Sequence, residues 1–136
     1  MFERLTPRAP YALAALRIMT ALLFIGHGLV KMIGFPEGAQ PGPQELASLL
    51  GAAGAIELVT GLLILVGWFT RPAAFIASGE MAVAYWMFHG SKGFFPVLNA
   101  GEGAILFCFI FLYFVFAGPG AWSVDGAQRR AVVSTT

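Results

Sequence analysis

Three carboxylates, Glu57, Glu80 and Glu102, each stand inside a stretch of apolar residues that reads as a membrane-spanning helix. A carboxylate near the centre of such a helix costs on the order of 2.5–3.5 kcal/mol on insertion scales, so it persists mainly where it is paired or hydrated. Arg17, His27 and Lys31 share another apolar stretch and are the candidate partners. The fold class that follows is an all-α membrane protein, a four-transmembrane-helix bundle with an ionisable interior.

Only 11% of the 136 residues are charged and 58% are hydrophobic. A soluble domain carries roughly 25% charged residues, so one membrane domain spanning 1–136 is the natural class. The formal net charge of +1 points to no nucleic-acid partner. The lone Cys108 has no C-x-x-C mate for dithiol chemistry and reads as a small core residue. Arg4 and Arg8 precede an apolar run in the manner of a signal peptide. The run is too long for an h-region and carries three charged or titratable residues, so it reads as a retained first span.

Four spans are expected, over approximately 10–34, 45–68, 72–89 and 98–117, each near the roughly 20 residues that cross about 30 Å of hydrocarbon. Thr70-Arg71-Pro72 reads as a tight turn with Thr70 as its cap. Arg4, Arg8, Arg71, Arg129 and Arg130 fall on one side of this arrangement, against Lys92 and Lys31 on the other. The positive-inside rule then places both termini in the cytoplasm, with Tyr11, Trp68 and Trp122 at the inner interface.

Helical spacing aligns the polar residues with small ones. Ala73, Ala77, Glu80 and Ala84 share one face of the third span, and Ala47, Gly54, Glu57 and Gly61 one face of the second. Arg17, Ala21, Phe24, Gly28 and Lys31 form a stripe on the first, with His27 on its flank. Small residues let helices approach closely in lipid, so these faces are expected to turn inward and carry the charges with them.

Depth then suggests two groupings. Arg17 reaches between Glu57 and Glu80 as an ion-pair network, either locking the helices together or binding a ligand. His27, Lys31, His89, Asn99 and Glu102 fall in the outer half and are expected to converge on a polar pocket. There His27, His89 and Glu102 are the candidate proton donors and acceptors, with Lys31 and Asn99 contacting the ligand. The competing reading makes both histidines hydrated interfacial residues. A metal site at His27, His89 and Glu102 lacks any ligand-spacing motif. The Phe-rich run from Phe107 to Phe116 reads as a lipid-facing and packing surface.

Several of these pieces, in their order, resemble the DoxX family. They are Gly26-His27-Gly28 with Lys31, Glu57 with Gly61, the run Leu65-Val66-Gly67-Trp68-Phe69-Thr70-Arg71, and Met81-Ala82-Val83-Ala84. His89, Asn99-Ala100-Gly101-Glu102 and the closing Gly118-Pro119-Gly120-Ala121-Trp122-Ser123-Val124-Asp125 complete the resemblance, which runs from about Arg17 to Asp125. It implies a small four-helix protein of a bacterial-type inner membrane, similar to the small membrane subunit of a thiosulfate:quinone oxidoreductase or to subunits of redox-defence complexes. Relatives that handle disulfides need paired cysteines, which this sequence does not have.

The expected function is accordingly a redox-system subunit binding a quinone or similar lipophilic molecule. The sequence has no haem-attachment, flavin or iron–sulfur signature, so no intrinsic cofactor is expected and electrons come from a redox partner protein or from substrate. A non-catalytic scaffold or assembly factor is the alternative from another class. A proton or small-solute carrier is the third, and with so few helices it needs a homo-oligomer.

Overall fold

The computed structural model describes residues 2–134, which form helices and connecting turns with no strand among them. A 3-10 turn at Phe2–Arg8 leads into α1, Ala9–Ile33, and α2 follows as Leu49–Val66. Next come α3, Thr70–Ala84, the short α4, Pro96–Asn99, then α5, Glu102–Ala117, and α6, Val124–Ser134. Two segments are long and apolar enough to cross a membrane, Arg4–Ile33 and Leu49–Val66, and α5 is a shorter apolar helix.

The helix ends follow from local chemistry. Pro10 starts α1 with a φ already suited to a helix. Gly34 closes α1 in the left-handed region, its N–H bonding to Val30 O at 3.0 Å, a conformation glycine adopts without Cβ strain. Ser48 caps α2, its Oγ accepting from the Gly51 N–H at 3.0 Å.

The third and fourth expected spans are less regular than their hydropathy suggests. The α-helical hydrogen bonding of α3 stops at Ala84 and continues as one π turn through Tyr85–His89. The fourth segment breaks between α4 and α5, where Ala100 takes φ 57°. Asn99 explains the break. Its Oδ1 accepts from the Gly101 N–H at 2.8 Å and so competes with helical bonding.

The helices pack side by side, α1 along α2, α2 along α3 and α3 along α5. Phe24, Ile64, Ala77, Met81, Phe111 and Phe114 fill the centre, with the Phe24 and Phe111 rings edge to face at 4.6 Å. The Phe-rich run divides as a helix must, with Phe111 and Phe114 buried and Phe109 and Phe116 exposed. Leu22, Leu23, Val59, Leu62, Phe75 and Ile76 are exposed on the outer faces, an apolar surface that suits lipid and not water. The small-residue faces do turn inward, since Gly54, Gly61, Ala73 and Ala77 are all buried. Ala47 lies before α2 and is exposed, so that seam begins later than its spacing suggests.

Candidate functional site

Close contact between α1 and α2 builds the site. A Cβ on Gly28 would lie 2.8 Å from Leu58 Cγ and 3.0 Å from Gly54 O, and one on Gly54 would lie 2.8 Å from Lys31 Cβ. The two glycines therefore let Lys31 run alongside α2. Its Nζ meets Glu57 Oε1 at 2.5 Å and Oε2 at 2.6 Å, an ion pair with both carboxylate oxygens engaged. Glu57 is 1% exposed.

Glu80, on α3, lies within electrostatic reach of both members of this pair. Both of its carboxyl oxygens are buried, and neither has a hydrogen-bond partner among the described residues. The cluster thus has one positive and two negative groups when all are charged, and no described protein group donates to Glu80. Burying a polar group without a partner costs roughly 1–3 kcal/mol from mutational data, more for a charge. A proton would remove the charge of Glu80, and a ligand group that donates hydrogen bonds would pair its oxygens.

Arg17 is not the partner of these carboxylates, contrary to the depth argument. Its fully buried guanidinium donates to five carbonyls, Ile64 and Leu65 at the end of α2 and Pro119, Ala121 and Trp122 in the closing segment. The distances run from 2.6 to 3.3 Å. The physical reason is that the carbonyls of the last turn of α2 carry partial negative charge and spare acceptor capacity, so they attract a cation as a carboxylate does. Ile64 O takes the Gly67 cap N–H at 3.1 Å as well as Arg17. Arg71 does the same for α5, its Nη1 donating to Val115 O at 2.5 Å and Phe116 O at 2.8 Å.

Thr70 is likewise not the cap of α3. Phe69 holds that position in the left-handed region, and the Asp125 carboxylate accepts from the N–H groups of Phe69 at 2.9 Å and Thr70 at 3.0 Å. Sequence reasoning places Asp125 within the closing motif without giving it this role, because its partners lie 55 and 56 residues away.

The outer group is looser than depth implies. His89 Nδ1 lies 3.0 Å from Asn99 O, and its ring stacks on Tyr85 with centroids 6.4 Å apart. The Asn99 side chain is tied to Gly93 O at 2.8 Å and to the Tyr85 hydroxyl at 3.4 Å. His27 is exposed and sets its ring edge to face with Phe107 at 5.7 Å. Glu102, also exposed, borders a shallow depression with Pro96, Ile105 and Leu106. No hydrogen bond joins His27, His89 and Glu102 among the described residues, nor does any group of three His, Cys, Asp or Glu there form a metal-holding set. Lys31 is the ion-pair partner of Glu57, one helical turn from His27 on α1. Cys108 is half-buried, with Ser78 Oγ donating to its carbonyl at 2.9 Å.

Residues 12–90 match the DoxX family profile. The chain belongs to the DoxX family. This DoxX protein is 48% identical over 120 residues to an uncharacterized protein of Haemophilus influenzae, covering 85% of this chain and 90% of that one. It is 26% identical over 132 residues to an uncharacterized membrane protein of Mycobacterium tuberculosis, covering 85% and 80%. It is 32% identical over 129 residues to the inner membrane protein YphA of Escherichia coli, covering 85% and 89%. No solved structure gives a significant match. With its apolar outer faces and two helices long enough to span, this DoxX protein is a membrane protein.

Proposed function

We propose that this DoxX protein crosses a bacterial inner membrane four times and is the small membrane subunit of a redox system, binding a quinone or similar lipophilic molecule among its helices. The four crossings are α1, α2, α3 with its π turn, and the α4–α5 segment. Both termini face the cytoplasm, an orientation supported by Arg4, Arg8, Arg71, Arg129 and Arg130.

The observation that carries the reading is the pair of unpartnered oxygens on Glu80 beside Lys31 and Glu57. Quinone chemistry needs such a place. Reducing a quinone to a hydroquinone takes two electrons and two protons, and a positioned carboxyl group can hold and pass a proton. A hydroquinone hydroxyl donates to Glu80, and Lys31 is the nearby ammonium donor for a quinone carbonyl. His27, His89 and Glu102 serve as groups exchanging protons at the outer end, and a partner protein supplies or accepts the electrons.

The test is a titration of the purified protein with a short-chain hydroquinone. Glu80→Gln is expected to weaken binding by about ten-fold or more, the scale of a hydrogen bond to a charged group. Absence of binding by the wild-type protein sinks the quinone assignment.

One observation favours a second reading, a non-catalytic assembly factor. The Arg17 and Asp125 interactions bind four separate chain segments into a rigid end suited to docking. On that reading, Glu80→Gln alters partner capture and leaves hydroquinone without effect.

A further inference from the structure

A second site lies at the end of the molecule where α6 crosses the ends of α1, α3 and α5. A cleft of about 540 Å³ opens there, and three arginines line it, Arg71 from α3 and Arg129 and Arg130 from α6. No acidic side chain among the described residues lines it. The nearby carboxylate, Asp125, is turned to the N–H groups of Phe69 and Thr70 and does not line the cleft. Arg71 is anchored by its two carbonyl bonds, which fix one wall of the cleft.

Guanidinium groups are weakly hydrated and match phosphate oxygens with paired N–H donors, so three around one cavity select a phosphate-bearing anion. The volume falls within the roughly 300–1,000 Å³ of ordinary ligand pockets. Its surroundings identify the source of the phosphate. Tyr11, Trp68 and Trp122 are exposed at this same end, with Tyr11 and Trp122 edge to face at 5.4 Å, and aromatic residues of this kind sit at the level of lipid head groups. We propose that this cleft, framed by Arg71, Arg129 and Arg130, binds the phosphate head group of an anionic phospholipid. The proposal rests on membrane location alone and is independent of the Glu80 site.

The experiment is native mass spectrometry of the full-length protein released from a mild detergent, with phosphatidylglycerol and phosphatidylcholine supplied in equal amounts. Phosphatidylglycerol is expected to be retained in preference. Arg129→Gln with Arg130→Gln lowers its affinity roughly 30-fold, about five-fold for each arginine near a membrane surface. Arg4→Gln with Arg8→Gln is expected to leave retention within about two-fold, because neither residue lines the cleft and both would act only on the diffuse surface field, which salt screens. Arg129→Lys with Arg130→Lys keeps the charge but not the paired donors, so it is expected to recover only part of the binding lost in the glutamine pair. That recovery separates loss of charge from loss of fold. Equal retention of the two lipids, or equal losses in the two glutamine pairs, overturns the proposal. Displacement of the lipid by millimolar inorganic phosphate overturns the lipid assignment in favour of a free phosphate.

Discussion

The ammonium of Lys31 reaches both carboxylate oxygens of Glu57, at 2.5 and 2.6 Å, across a helix contact that two glycines make close enough. Lys31 lies near the end of α1, while Glu57 lies about two turns into α2, so the lysine stem runs inward along the contact. A strong pair therefore sits beside a carboxyl group with no partner of its own among the described residues, Glu80.

Removing one member of a buried pair leaves an uncompensated charge. Lys31→Met is expected to destabilise the protein by roughly 3–5 kcal/mol, and Lys31→Met with Glu57→Gln to recover much of that loss. Thermal unfolding in detergent for the two single variants and the double variant measures the coupling. Additive losses would show that the two side chains act independently.

Gly28 is predicted to tolerate no larger residue. The Cβ of Gly28→Ala would press on Leu58 and on the Gly54 carbonyl, and the second of these is backbone that cannot rotate away. The expected cost is about 1–3 kcal/mol, the range for overpacking. Unfolding measurements on Gly28→Ala check it, and wild-type stability would mean that α1 and α2 are further apart.

Arg17→Lys is expected to behave as a loss, although the charge is kept. A lysine has three donors on a point charge and cannot reach carbonyls from both α2 and the 118–122 segment in the way the planar guanidinium does. Hydrogen bonds to charged groups are worth about 1.5–3 kcal/mol each, so several kcal/mol are at stake. A lysine variant as stable as wild type would contradict this role.

Asp125→Ala removes the carboxylate that receives the N–H groups of Phe69 and Thr70. The loss is expected to be about 1–2 kcal/mol, as for other helix caps. Hydrogen exchange at these two amides is expected to speed up, and unchanged protection there would contradict the assignment.

The parts of this structure that are legible in the sequence are those governed by periodicity and composition. The inward faces of Gly54, Gly61, Ala73 and Ala77 follow from helical spacing, and the buried stripe from Arg17 through Phe24 does too. The partners of Arg17 are not legible, because every acceptor is a backbone carbonyl, which carries no residue identity. Depth alone puts Lys31 with His27 and His89, since its long stem conceals how far inward the ammonium reaches. Asp125 caps a helix that precedes it by more than fifty residues, a distance that local capping patterns do not cover. The break at Ala100 arises from the Asn99 side chain competing for the Gly101 amide, an effect that hydropathy does not register.

The central claim is that Glu80 receives a proton or a hydrogen-bond donor from a quinone-class molecule. Infrared difference spectra of the purified protein, recorded with and without a short-chain hydroquinone, test it most directly. The account predicts a change in a carboxyl C=O stretching band on adding hydroquinone, and the loss of that change in Glu80→Gln. A spectrum in which the band does not respond, or responds equally in Glu80→Gln, would contradict it.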